Sequence, residues 1–260
     1  MGYSVKKRQT PWWHTALAVL FWLLVWQAAS LAVGEQLLLP SPLSVVRALA
    51  ALVVQPGFWH SIGISLSRIG GGFLLGFFTG CLLGVLAAFL PLIETLLSPL
   101  LMLATATPVA SFVILAMIWV SSKNLSVFTS FLMVMPVVYA NTLAGLQAAP
   151  AEMREMAAVF RLPAWRRFRA VYLPALRPYL EGALQVTLAL CWKSGLAAEV
   201  IGLPRGSIGE RLYQAKLDLL TANMFAWTAV AILLSWLTAK AALWLLKKLA
   251  TALERGRSLA

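Results

Sequence analysis

Residues 155–174 read EMAAVFRLPAWRRFRAVYLP, and this short basic stretch decides how the rest of the chain is interpreted. It places four arginines within nine positions of a chain that is 61% hydrophobic. Residues 155–162 predict two helical turns, in which Ala157 and Ala158 offer a flat surface for close approach. Pro163 then breaks or restarts the helix, because proline suits a first turn but not a helix interior. We expect Pro174 to end the second helical piece.

The second piece carries an apolar stripe, since Trp165, Phe168 and Val171 or Tyr172 recur at helical spacing. Its other sides hold Arg166, Arg167 and Arg169. One interpretation is a helix lying on a membrane surface, where each arginine gains about 1 kcal/mol from anionic headgroups. The other is a docking element for a cytoplasmic partner, because aromatic residues and arginine are enriched at protein interfaces. The residues alone leave both open.

The composition indicates that most of the chain is dissolved in lipid. Only 12% of its 260 residues are charged and the mean hydropathy is +0.84, whereas about a quarter of a soluble domain is charged. The net charge of +12 does not indicate nucleic-acid binding, because the basic residues lie in short segments between apolar runs. That is their usual position in membrane proteins.

Several classes of chemistry are excluded by motif. Cys81 and Cys191 both lie in apolar runs, so neither a disulfide framework nor a CxxC metal site is expected. His14 and His60 are the only histidines, which excludes an HExxH zinc site. No GxxxxGK[ST] phosphate loop occurs, so the chain does not bind ATP by that route. We therefore expect no catalytic residue, no metal site and no enzymatic activity on this chain.

Six apolar runs are long enough to approach the roughly 20 residues that a membrane-spanning helix needs. We predict an all-α polytopic membrane protein with spans at about 15–33, 62–90, 96–120, 125–146, 180–202 and 225–246. The first run lacks a small-residue cleavage site and is interpreted as a retained anchor. Residues 41–55 are amphipathic but too short to span, and are predicted to form an interfacial helix. The organisation is then an N-terminal segment 1–14, a transmembrane region 15–246 (core about 58–246, with a long loop at 147–179) and a tail 247–260.

The distribution of Lys and Arg predicts the orientation. Thirteen fall on one side: three in the N-terminal segment (Lys6, Lys7 and Arg8), six in loop 147–179 and four in the tail. Five fall on the other side, and Arg68, Lys193 and Lys240 lie within spans. By the positive-inside rule, both termini and the opening stretch are cytoplasmic.

Two further features concern packing in the second span. Its glycines recur every four residues, at Gly72, Gly76, Gly80 and Gly84. They would line one side of a helix and let another helix approach closely, either within the chain or between subunits. Arg68, near the outer end of this span, is expected to extend toward the interface in a structural role.

Polar residues within spans are candidates for a translocation path. Lys193 lies about midway along the fifth span, where insertion costs roughly 2.5–3.5 kcal/mol, so it is expected to face protein or water. Lys193 and Glu199 would not pair on a regular helix, although unwinding near Gly195 would bring them together. Either these residues satisfy neighbouring helices, or Trp192, Lys193 and Ser194 line a route suited to an anionic or polar substrate. Pro108, expected mid-span, either frees backbone carbonyls toward a cavity or serves packing.

The opening stretch resembles the cytoplasmic EAA loop of permease subunits of binding-protein-dependent ABC importers. Glu155, Met156 and Ala157, followed by Phe168 and the Leu173–Pro174 pair, fit its spacing. Other stretches resemble the nitrate/sulfonate/taurine branch of that family: LPSPLSVVRAL (39–49), SLSRIGGGFLLG (65–76), PVVYANTLAGLQAAPAEMREMA (136–157) and AAEVIG (197–202). The resemblance covers about residues 39–240. It departs at Met156, where the family has alanine, and at Arg161, where the family has glycine and Pro163 offers a substitute break.

The resemblance implies a type I ABC importer permease-like bundle in a prokaryotic inner membrane. The loop would be a coupling helix that binds a separate ATPase subunit, which would carry ATP and Mg²⁺; this chain would hold no cofactor. The coupling residues carried over are Glu155, Met156, Ala157, Ala158, Arg161, Leu162, Pro163, Phe168 and Pro174. The complex would contain two permease copies, two ATPases and an extracytoplasmic binding protein.

Alternatives remain at three points. The expected substrate is a small anion or sulfonate, but a vitamin precursor also fits the architecture. The permease could pair with a second, similar chain rather than with its own copy. An ion-driven secondary transporter would need several intramembrane acids, and only Glu199 and Glu181 are present.

Overall fold

The computed structural model describes residues 12–255, which are helical throughout apart from short connections. Within that range it contains eleven α-helices and one π-helical turn, Phe168–Tyr172. The α-helices are α1 (Trp12–Val33), α2 (Pro42–Val53), α3 (Pro56–Phe89), α4 (Pro91–Ala106), α5 (Val109–Ala116), α6 (Ser122–Gln147), α7 (Ala151–Val159), α8 (Ala164–Arg167), α9 (Leu173–Gly202), α10 (Ile208–Leu217) and α11 (Thr221–Arg255). The basic residues Lys6, Lys7, Arg8 and Arg257, on which part of the predicted orientation rests, lie outside the described residues.

Five helical segments are long and apolar enough to cross a membrane, and the bent pair α4–α5 makes a sixth if it counts as one span. This confirms the prediction of an all-α polytopic membrane protein. The centre of the bundle is formed by α3, α6 and α9, whose buried side chains meet in one apolar cluster that includes Ile69, Val138 and Leu188. Against this centre, α11 packs on α9, and the short helix α2 packs on α11 and α3.

The glycine side of α3 lies directly against α6 of the same chain. A Cβ at Gly76 would stand 2.8 Å from the Phe131 carbonyl oxygen, and one at Gly80 would stand 2.7 Å from that of Met135. Gly72 and Gly84 make equally close approaches to Val127, Tyr139 and Thr142. The four glycines therefore serve a contact within the chain, where the lack of side chains lets the two backbones meet.

The prediction that Pro174 ends a short helix is wrong. Residues 164–202 form one helical segment 39 residues long, because the π-helical turn leads directly into α9. In that turn the Leu173 N–H donates to the Phe168 carbonyl, five residues back, which widens the helix at this point. Pro174 directly follows the widened turn, and the helix continues through it although proline has no N–H to donate. The helix that contains the span predicted at 180–202 therefore begins far earlier, in the loop.

The third span, predicted at about 96–120, is broken in the structure. α4 ends at Ala106 and α5 starts at Val109, and their axes differ by 104°. The cause is local. Thr107 has extended backbone angles, as expected for a residue before proline, and Pro108 occupies the cap position before α5. Pro108 is exposed at this bend.

The first and last described helices lie outside the buried centre. α1 is almost wholly exposed and is held near its C-terminal end, where Trp26 Nε1 donates to the Pro40 carbonyl (3.1 Å) and Ser30 Oγ donates to that of Leu39 (2.9 Å). At the other end, α11 continues to Arg255. The tail predicted to start at 247 thus begins inside a helix.

Candidate docking site

The docking hairpin, defined as residues 151–172, begins with α7 and reverses direction at Arg161. The Leu162 N–H donates to the Ala157 carbonyl and the Arg161 N–H to the Ala158 carbonyl, both at 3.0 Å. Arg161 has φ +48°, so the pattern is a Schellman motif with arginine in the left-handed position that glycine usually holds. The tight turn implied by the family pattern is present here without its glycine.

Almost all of α7 is exposed, including Glu155, Met156 and Ala158; Ala157 is its one buried residue. The exposed side chains include several large apolar ones: Met153, Met156, Val159 and Phe160 before or at the turn, and Trp165 after it. Phe160 is 72% exposed and Val159 79% exposed. Exposed apolar surface outside a membrane span is a feature typical of protein interaction sites.

A small apolar cluster fixes the hairpin to the start of the long helix. Ala149, Ala157 and Val171 are buried together, and Leu162, Ala170, Tyr172 and Ala175 pack around them. The Ala157 side chain therefore packs within this cluster, whereas the Ala158 side chain is exposed. This cluster attaches the hairpin firmly to the start of α9.

The other predicted loop residues frame the second half of the hairpin. Pro163 caps α8, Phe168 starts the π-helical turn, and Pro174 lies just past it. The hairpin carries five arginines and two glutamates, all but Arg169 exposed. Within residues 12–255 no group of three metal-ligating side chains occurs. The arrangement suits recognition of a protein surface with apolar pockets and acidic groups.

The residues predicted to line a translocation path do not lie close together within this chain. Trp192 and Lys193 border a groove of ≈540 Å³ between α9 and α11, together with Gln185, Thr228, Ser235 and Trp236. Trp192 is buried and its Nε1 donates to Thr238 Oγ1 at 2.9 Å. Lys193 is exposed on α9. Pro108 lies apart from both, at the bend between α4 and α5.

Ser194 and Glu199 lie on the buried side of α9. The helix is unbroken at Gly195, because Gly195 packs directly against Ile69 and Ser130. The unwinding considered for this position therefore does not occur, and Lys193 and Glu199 stay on different faces.

Sequence reasoning missed a cleft of ≈360 Å³ between α4 and α6. Glu94, Ser98 and Thr105 line it from α4, and Tyr139 and Gln147 from α6. The recurrence of polar residues at 94, 98 and 105 on one helix face was the signal that could have revealed it.

The fold is that of a polytopic helical membrane protein with an exposed helical hairpin at residues 151–172. The chain belongs to the family of binding-protein-dependent transport system inner membrane components, which matches residues 80–255. The family is one of transport permeases rather than enzymes, and its proteins are components of the inner membrane.

Three relatives place the chain within that family. The chain is 26% identical over 222 residues to the "Putative aliphatic sulfonates transport permease protein SsuC" of Bacillus subtilis, covering 85% of this chain and 80% of that protein. It is 26% identical to the nitrate import permease protein NrtB of Synechococcus elongatus, covering 79% and 77%. It is also 26% identical to the bicarbonate transport system permease protein CmpB of the same species, covering 70% and 69%. These matches confirm the resemblance to the nitrate/sulfonate branch.

A solved structure of an amino acid ABC transporter with histidines has the same fold. The two superpose with a TM-score of 0.53 at 16% sequence identity, covering 80% of this chain and 97% of that one. The secondary-transporter alternative is not favoured, because the matched relatives are permeases of ABC importers.

Proposed function

We propose that this chain is the transmembrane permease subunit of an ATP-driven importer, and that its docking hairpin binds a separate ATPase subunit. The observation that carries the proposal is the exposed apolar surface of α7 and the following turn, outside the spans. Fully burying one large apolar side chain contributes about 1.5–3 kcal/mol. Met153, Met156, Phe160 and Trp165 together offer a partner several such contributions.

Rigidity of the hairpin supports the same role. The Schellman turn and the Ala157–Val171 cluster hold the exposed side chains in place before a partner binds, which lowers the entropic cost of association. Because residues 164–202 are one helical segment, a displacement of the hairpin by the ATPase moves α9 directly. ATP and Mg²⁺ would be held by the ATPase and not by this chain.

The remaining parts of the proposal follow the family. Two copies of the chain would form the path, with two ATPases on the cytoplasmic side and a binding protein on the other. The hairpin and both termini would be cytoplasmic. A small anionic or polar solute is the proposed substrate, since relatives are named for sulfonate, nitrate and bicarbonate, and Lys193 supplies an exposed positive charge at membrane depth.

The docking role is tested with the double substitution Glu155→Arg and Ala158→Trp, which changes exposed residues only. We expect the variant to insert in the membrane normally but to lose ATPase copurification and uptake. The matched control makes the same two changes at exposed positions far from the hairpin, Glu35→Arg and Ala51→Trp, and should retain both. Undiminished copurification and uptake in the hairpin variant would refute the docking role.

A further inference from the structure

Glu199 is a fully buried acid that the proposed docking function does not use. It lies near the end of α9 opposite the docking hairpin. Its Oε2 accepts a hydrogen bond from Ser65 Oγ at 2.7 Å and one from the Gly209 N–H at 3.2 Å. Ser65 Oγ in turn accepts from the Ile208 N–H at 2.9 Å. One carboxylate therefore joins three elements: α3, α9 and α10.

The first turn of α10 attaches this helix to α3 and α9. The N–H groups of Ile208 and Gly209 have no partner within their own helix, and Ser65 and Glu199 supply acceptors for them. A negative charge is also favourable at a helix N-terminus. Gly209 lies against the α9 backbone, where an added Cβ would stand 2.5 Å from the Glu199 carbonyl carbon and 2.6 Å from the Val200 nitrogen.

The same region contains a half-buried arginine. Arg68 lies three residues after Ser65 and hence on the same face of α3, within electrostatic range of Glu199. Its Nη1 and Glu199 Oε1 are both buried without a hydrogen-bond partner. Arg68 therefore acts on Glu199 as a nearby positive charge on α3 and makes no direct hydrogen bond with it.

We infer that Glu199 is a positioning residue that fixes α10 to the end of the helical segment whose other end carries the docking hairpin. The two ends are continuous through residues 164–202. We also infer that motion imposed on the hairpin by an ATPase reaches α10 through the Glu199 junction. This statement about motion rests on the proposed function. The junction itself, the contact of Glu199 with Ser65 and Gly209, does not depend on that function.

The junction is tested by hydrogen exchange of the purified full chain in detergent, followed at the amides of residues 206–212. Glu199→Gln weakens charge-assisted hydrogen bonds, so we expect exchange there to accelerate about tenfold to a hundredfold, while α6 amides are unchanged. Ser65→Ala, a smaller change, should accelerate the same amides if Glu199→Gln does not fold. The control is Glu181→Gln, the same substitution at a half-buried position of α9. Unchanged exchange at 206–212 in both junction variants would overturn the inference.

Transmission is tested on the complex with its copurified ATPase, trapped with ATP, Mg²⁺ and vanadate. In the wild-type chain, trapping should change exchange at 206–212 by more than twofold; in Glu199→Gln it should not, although ATPase remains bound. An equal response in wild type and variant would overturn the transmitting role. If no ATPase copurifies with the wild-type chain, the proposed function fails, and the first measurement still decides the junction.

Discussion

The Leu162 N–H donates to the Ala157 carbonyl at 3.0 Å, closing the turn of the docking hairpin. Both side chains also belong to the cluster that holds the hairpin to α9. The turn between them requires Arg161 at φ +48°, a conformation that costs a non-glycine residue roughly 1–2 kcal/mol. The hydrogen bonds and the packing of Leu162 offset that cost, so the hairpin keeps its shape without the glycine found in the family pattern.

Arg161→Gly should stabilise the hairpin, because glycine adopts a positive φ without strain. We expect slower hydrogen exchange at residues 157–162, corresponding to about 1 kcal/mol. Arg154→Gly, inside α7, provides the opposite comparison and should destabilise the helix by about 0.5–1 kcal/mol. Faster exchange in Arg161→Gly would show that the arginine side chain, and not its backbone strain, governs this turn.

Gly80→Ala should destabilise the bundle by about 1–3 kcal/mol, since its Cβ would overpack the α3–α6 contact. The matched control is Gly71→Ala on the same helix, where a Cβ meets nothing within 4 Å and alanine favours the helix. Thermal unfolding of the detergent-solubilised protein should show a lower melting temperature for Gly80→Ala and no decrease for Gly71→Ala. Equal melting temperatures would mean that the two helices separate readily at this contact.

Lys193→Met should lower uptake of an anionic substrate by more than tenfold if this charge faces the path. The measurement is uptake of labelled nitrate, bicarbonate and an alkanesulfonate by cells that express the complete transporter. Lys240→Met is the control, because the Lys240 ammonium lies over the Trp236 ring at 3.8 Å and is satisfied within α11. Undiminished uptake in Lys193→Met would remove this lysine from the path.

Trp26→Phe should loosen α1, because it keeps a ring to stack on Phe225 but loses the hydrogen bond to the Pro40 carbonyl. We expect a loss of about 0.5–1.5 kcal/mol in unfolding free energy, measured as a lower melting temperature. Trp22→Phe, at an exposed position of the same helix, should have no measurable effect. If both variants have the same melting temperature, the hydrogen bond between α1 and the connection 34–41 does not contribute to stability.

Hydropathy and residue spacing were sufficient to predict the membrane-spanning class, the glycine face of α3 and the break at Pro163, because each depends on local sequence. They could not show that the helix continues through Pro174. A proline suits both a helix start and a helix end, and the outcome depends on whether the Leu173 N–H reaches the Phe168 carbonyl. Likewise, a proline at 108 fixes a break but not the 104° angle, which depends on where α5 packs.

Contacts between distant segments explain the rest. Ser65 and Glu199 are 134 residues apart in sequence, so no local pattern predicts their hydrogen bond. The face that Lys193 occupies depends on which side of α9 meets α3, α6 and α11. The helical hairpin around Pro163 was easier to predict, since its turn depends on consecutive residues.

Purification of the tagged chain from its own host in mild detergent decides whether the docking hairpin binds a separate ATPase. Mass spectrometry then identifies and quantifies what copurifies, with and without prior crosslinking. We expect an ATPase subunit at about one per permease chain, crosslinked to residues 151–172. Recovery of this chain alone, even after crosslinking, would contradict it.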